Sequence, residues 1–354
     1  MKKWLVIVCW MMGPGRLAVA QSDEASAQYA AGVLAMREHR YAAAVEAFSK
    51  AAELRPNQAE ILVNWGASLA QLSRQESDGE KRFKHLQLAA EKFSKAAELK
   101  PNDKVIQMMW AETLIWIGDL PLEARTRLGC YQGAVERCKR AAEIAPKDWD
   151  VYLRWGVVLL AKLPDFAADD KSRWALFRDA TAMFEKSAGL TASASDTAVA
   201  LANWGSALER TAAFTHDKSE KEKLLQAALE KFQKSAAAIP NSANTQALWG
   251  TALLHLGKLT LSRTHLRDAV DKFNGSLALK PNDPVMFYQT AVAYTQLDNL
   301  VMAMKMLRKC FECDETGLFR QQARTDNDLA LLRQERGFEE LFTLPAPSKK
   351  PVGK

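Results

Sequence analysis

The chain has 354 residues, an apolar fraction of 48%, only 17 glycines and 12 prolines, and a formal net charge of +6. A single compact core of that length would be unusual, so two domains or a repeat array are expected, and the composition excludes a collagen-like or disordered chain. With the first twenty residues set aside the charge is +3, too mild for nucleic acid or an acidic membrane to be the main partner.

Taken in chain order, residues 1–20 read as a secretory signal. Lys2 and Lys3 form a positive start, residues 4–12 an apolar core, and Gly13 and Pro14 break it. Ala18-Val19-Ala20 then offers small residues for cleavage before Gln21. The apolar run is too short to span a membrane, and no later run approaches that length. Cys9 follows Val8, which does not suit lipid attachment. The mature chain is therefore expected to be exported, without a membrane span, into an extracytoplasmic compartment where Cys130, Cys138, Cys310 and Cys313 are permitted to pair.

From residue 21 to 315 the chain repeats itself. "AFSKAAELRPN" ends at Asn57, "KFSKAAELKPN" at Asn102, "RCKRAAEIAPK" at Lys147, "KFQKSAAAIPN" at Asn241 and "KFNGSLALKPN" at Asn282. Two weaker copies end at Ala192 and Glu315. An A-x3-F step recurs seven times: Ala44/Phe48, Ala89/Phe93, Ala134/Cys138, Ala180/Phe184, Ala228/Phe232, Ala269/Phe273 and Ala303/Leu307. A second landmark follows most of the prolines: Trp65-Gly66, Trp110-Ala111, Trp155-Gly156, Trp204-Gly205, Trp249-Gly250 and Thr290-Ala291, with Gly32 serving the first copy.

These landmarks resemble the tetratricopeptide repeat (TPR) family, whose signature is W-x2-L-G-x2-Y on a first helix, A-x3-F on a second and a closing proline. The resemblance implies an all-α fold, a right-handed solenoid of about seven helical hairpins. The small residue lets the two helices approach, the aromatic fills the gap between hairpins, and proline ends the second helix. Two features depart from the family. Trp replaces the usual Leu before the Gly, and because it recurs with the repeat it reads as core rather than as a ligand box. The copies are also long: Phe48 to Phe93 is 45 residues, against 34 for Phe273 to Leu307. The 3-4 spacing of Phe83, Leu86, Ala90 and Phe93, and of Trp174, Phe177, Thr181 and Phe184, places the extra residues in second helices that start early.

Residues 316–344 resemble the capping tail behind many bacterial TPR arrays. Leu329, Leu332, Phe338 and Leu341 are expected to cover the last hairpin, with Arg324, Asp326, Asp328, Arg333 and Glu335 facing water. Residues 345–354 read as a disordered tail.

No catalytic constellation emerges. The histidines, His39, His85, His216, His255 and His265, form no metal-spaced cluster, and there is neither a phosphate loop nor a nucleophile elbow. No cofactor, no metal and no enzymatic activity are expected. Cys310 and Cys313 form a C-x-x-C, which supports an alternative reading as a redox-responsive accessory protein, although both fall on buried repeat positions. Eight helical residues between Cys130 and Cys138 would hold their α-carbons about 12 Å apart, too far for a disulfide. Basic residues at the hairpin edges (Arg74, Lys81, Arg82, Lys84) interleave with acidic ones (Glu76, Asp78, Glu80, Asp169), as on a solvated edge.

The family resemblance implies a concave groove lined by first-helix positions two before and two after the Leu slot. Here these are Val63/Ala67, Met108/Glu112, Leu153/Val157, Ala202/Ser206, Ala247/Thr251 and Tyr288/Val292. None is the Lys or Asn with which chaperone-binding members clamp a carboxylate. Small and apolar residues fit an apolar helix or extended segment. The leading expectation is a protein-interaction scaffold that holds a peptide or helix of an envelope partner, with no nucleic-acid ligand. Self-association through unsatisfied terminal repeats is a further reading.

Overall fold

The seven alanines of the A-x3-F step are each 0% exposed, and the residue four later is sealed with each of them, from Phe48 to Leu307. That periodic seal organises the computed structural model, which describes residues 14–343. The expected leader's basic start and apolar core, and the expected tail 345–354, lie outside the described residues. Among the described residues there are fifteen α-helices and no strand.

Contacts divide the chain into two compact units, the first ending at Phe166 and the second starting at Ala167. Unit 1 holds α1 (Pro14–Arg37), α2 (Tyr41–Leu54), α3 (Ala59–Gln75), α4 (Gly79–Leu99), α5 (Lys104–Gly118), α6 (Ala124–Ile144) and α7 (Trp149–Ala161), then a 3-10 turn at Pro164–Phe166. Unit 2 holds α8 (Asp170–Leu190), α9 (Ala194–Ala213), α10 (Lys218–Ala238), α11 (Ala243–Thr260), α12 (Arg263–Leu279), α13 (Pro284–Gln296), α14 (Leu300–Cys313) and α15 (Leu318–Thr325). In both units, successive helices pair as hairpins and hairpins stack. First helices also meet their counterparts in the next hairpin, α1 with α3 and α3 with α5 in unit 1, α9 with α11 and α11 with α13 in unit 2. This places the first helices on the inner side of each stack.

Local signals set the boundaries. Helices α2, α4, α6, α10 and α12 each end two residues before a proline, because the residue preceding Pro is pushed out of the helical region. Asp78, Asp103, Asp148, Asp169, Asp217 and Asp283 cap the helices that follow by accepting from their first backbone N–H groups. Each such cap contributes about 1 kcal/mol. Asp78 and Asp169, grouped by the sequence with a solvated edge, are thus helix caps. The extra repeat length lies in the second helices, as their spacing implies. Helices α4, α6, α8 and α10 have 21 residues each, against 14 in α2 and α14. Seven residues lengthen a helix by about 10 Å.

The tryptophans are placed differently from a sealed core. Trp65, Trp110, Trp155, Trp204 and Trp249 are all half-buried. Where the second helix of the same hairpin carries a cation just before the aromatic slot, that cation covers the ring. Lys92 lies 4.3 Å from the centroid of Trp65, Arg137 4.5 Å from Trp110, Lys231 4.2 Å from Trp204 and Lys272 3.8 Å from Trp249. The indole is too large to sink wholly between two helices, so one face packs on the core and the other is closed by an aliphatic stem and its ammonium or guanidinium. Such a contact is worth about 0.5–2 kcal/mol. Lys92, at 8% exposure, is nearly sealed by this arrangement.

The C-terminal segment forms one short helix and three 3-10 turns, at Asn327–Leu329, Leu332–Gln334 and Glu339–Thr343. Leu329, Leu332, Phe338 and Leu341 are buried in one cluster with Ala303, Leu307 and Phe311 of the last hairpin. Arg324 and Glu335 face water, but Asp326, Asp328 and Arg333 are only partly exposed. They tie the segment down. Tyr288 Oη donates to Asp326 at 2.7 Å, Lys258 Nζ to Asp328 at 2.5 Å, and the Arg333 guanidinium to the Asp326 carbonyl.

A Cβ on Gly250 would stand 2.6 Å from the Phe273 ring, whereas one on Gly129, exposed within α6, would meet nothing within 4 Å. Gly250→Ala should therefore destabilise the chain by about 1–3 kcal/mol through overpacking. Gly129→Ala should stabilise it by about 0.5–1 kcal/mol through reduced unfolded-state entropy. Denaturant melts of the two variants measure both shifts.

Candidate functional site

In unit 1 the inner side of α3, α5 and α7 presents Val63 and Ala67, Met108 and Glu112, and Leu153 and Val157, all half-buried. Val63 rests on the cluster formed by Leu62, Ala97 and Ile106, so its outer surface is what remains available. Val105, one turn before Met108 on α5, is 51% exposed. The lane is apolar except at Glu112, whose carboxylate lies 3.6 Å from the Arg154 guanidinium on α7. Arg154 Nε in turn donates to Asp150 at 2.8 Å.

In unit 2 the same positions are less open. Ala247 and Thr251 on α11 are half-buried, while Ala202 and Ser206 on α9 are buried. Tyr288 and Val292 on α13 are also buried, because the chain's own C-terminal segment covers them. The Tyr288 ring sits 5.2 Å from that of Phe319, and its hydroxyl is bound to Asp326. Those two residues, expected to line an open groove, are instead part of the closed end of the stack. Further along, Glu209 and His255 join α9 to α11 through a 2.6 Å contact between Oε1 and Nδ1. They border a cleft of about 330 Å³ with Leu225 and Leu259 at its apolar side and Lys221 and Lys258 at its rim.

Glu209, Arg154 and Asp150 escaped the sequence reading, and His255 entered it only as a histidine outside any metal-spaced cluster. Glu209 lies three residues after Ser206 and His255 four after Thr251, so extending the inner stripe by one helical turn would have included both.

A family model described as a tetratricopeptide repeat matches residues 25–58, which span the α1–α2 hairpin and the turn into α3. The hairpins that follow repeat its sealed alanine and aromatic positions in phase. The first hairpin is a tetratricopeptide repeat. Solved structures similar to the chain include YrrB, titled a TPR protein with an unusual peptide-binding site. That likeness has 20% identity, covers 66% of this chain and 98% of YrrB, and has a TM-score of 0.44. PilW, a type IV pilus biogenesis factor, matches at 16% identity over 76% of this chain and 98% of its own, with a TM-score of 0.49. A thermophilic TPR protein of Thermus thermophilus matches at 17% identity over 62% and 98%, with a TM-score of 0.45. No curated protein matches the chain.

The TPR fold supports protein–protein interaction, and TPR proteins are generally scaffolds without chemistry of their own. Among the described residues no group of histidine, cysteine and carboxylate side chains is arranged to hold a metal, and no helix is long and apolar enough to cross a membrane. The four described cysteines, Cys130, Cys138, Cys310 and Cys313, carry free thiols. Burial pushes the Cys138 thiol up to about 12, and it raises the thiols of Cys130, Cys310 and Cys313 as well. A raised thiol is a poor nucleophile at neutral pH, which argues against a reactive Cys310/Cys313 couple. Cys130 lies inside α6 with Cys138, which fixes the helical separation that forbids a bridge between them.

Two measurements follow from this geometry. Under native conditions, thiol labelling should reach half-buried Cys130 and Cys313 first, with Cys138 and Cys310 reacting only on unfolding. The Tyr288 hydroxyl has its proton affinity raised by burial and then by Asp326, from an ordinary value of 10.0. The folded state therefore keeps a proton that the unfolded chain releases, and stability is present below pH 10 and falls as pH rises beyond it. Tyr288→Phe should flatten that alkaline decline and lower stability near neutrality by about 1–2 kcal/mol. Denaturant melts between pH 7 and 11 check both effects.

Proposed function

We propose that this TPR-fold protein is an exported adaptor that holds a segment of a partner protein against the inner face of its first helices and performs no chemistry itself. The observation that carries this reading is the uncovered apolar lane of unit 1, formed by Val63, Met108, Leu153 and Val157. The chain uses its own C-terminal segment to bury the equivalent surface at Tyr288 and Val292, whereas the residues of this lane stay partly exposed. A repeated apolar surface of this kind suits an amphipathic helix or an extended segment, because successive first helices present apolar side chains at the same positions. Export is supported by the basic, apolar and small-residue pattern of residues 1–20.

Replacing Leu153 and Val157 by Asp should abolish capture of the partner from native envelope extract while circular dichroism stays unchanged. Capture that survives the double substitution would show that the inner lane is not the binding surface. N-terminal sequencing of the chain recovered from its native cells should start at Gln21, and a start at Met1 would remove the argument for export.

A further inference from the structure

The unit 1 lane also carries a charge imbalance. Arg154 is one cation between two carboxylates: Asp150 takes its hydrogen bond at 2.8 Å, and Glu112 stands 3.6 Å away. All three are substantially open to solvent, with side-chain exposures of 43% for Arg154, 40% for Asp150 and 41% for Glu112. Neighbouring ions are matched one to one, Glu60 with Lys100 and Asp148 with Lys104. One negative charge is therefore left over at Glu112, on a face whose other positions are Val63, Ala67, Met108, Leu153 and Val157. Desolvating an unmatched carboxylate under an apolar ligand would be costly. A cation brought by the ligand removes that cost and fixes register along the lane.

We propose that the inner face of unit 1 selects a partner segment that is apolar on both sides of a single Lys or Arg, whose cation enters beside Glu112. This rests on the inner-face reading above and adds the partner's chemistry to it. The apolar flanks meet Met108 and Val105 on one side and Leu153 and Val157 on the other. An acidic residue at the centre would face two carboxylates and be rejected.

The test is selection of random dodecapeptides displayed on phage, using the full-length chain and its variants Glu112→Gln, Glu112→Arg and Leu153→Asp/Val157→Asp, each checked for helicity. Wild-type chain should enrich peptides with a central Lys or Arg flanked by apolar residues. Synthetic copies should bind Glu112→Gln about two- to fivefold more weakly, the range expected for loss of one partly exposed charge pair. Glu112→Arg should shift the selection to central Asp or Glu. Peptides that lose binding to the Leu153→Asp/Val157→Asp variant but show no preference for a central cation would overturn this inference and leave the inner-face reading standing. Enrichment that persists on the double variant, or none on wild type, would overturn both. Sedimentation of the wild-type chain as a dimer that Leu153→Asp/Val157→Asp converts to monomer would identify a second copy as the occupant and overturn the inference as well.

Discussion

The structure depends on one close approach, repeated in four hairpins: a glycine in the first helix lies under the phenyl ring of the second. At Gly32, Gly66, Gly205 and Gly250 the ring fills the space where a side chain would begin, with added carbon atoms falling 2.6–3.0 Å from Phe48, Phe93, Phe232 and Phe273. Because the two backbones are drawn together there, the alanine four residues before the ring is excluded from water completely. Each phenyl then contributes about 1.5–3 kcal/mol through burial. Everything else about a hairpin, including its length and the polarity of its edges, varies around that contact.

The contact also explains what was legible in the sequence. The A-x3-F step, the closing prolines and the early start of α4 and α8 are local signals, set by residues within one or two helical turns, and all appear where spacing puts them. What the sequence concealed depends on longer range. Tyr288 and Val292 look like open groove residues because their helix repeats the others; only the return of Asp326 and Leu329 from some forty residues downstream covers them. The tryptophans look like sealed core because they recur in phase. Their half-buried state follows from ring size and from cations such as Lys272, which read as surface charges until the second helix is folded against the first.

The inner faces of the two units illustrate different uses of one template. In unit 1, Arg154 bridges α5 and α7 through Glu112 and leaves apolar neighbours uncovered. In unit 2, Glu209 and His255 bridge α9 and α11, while small buried residues at Ala202 and Ser206 leave little side chain to offer a ligand. A polar bridge between first helices fixes their spacing in both cases, but only where the surrounding positions carry Met, Leu and Val is there apolar area left for another molecule.

The polar ties of the C-terminal segment limit where the array can grow. Tyr288, Lys258 and Gln296 each reach into residues 326–328, so the segment is fastened to two different hairpins at once. A duplicated hairpin appended after α14 would separate those fastenings from their anchors. The final two hairpins and their lid therefore form one structural block, and an added hairpin is compatible with these fastenings only upstream of α11.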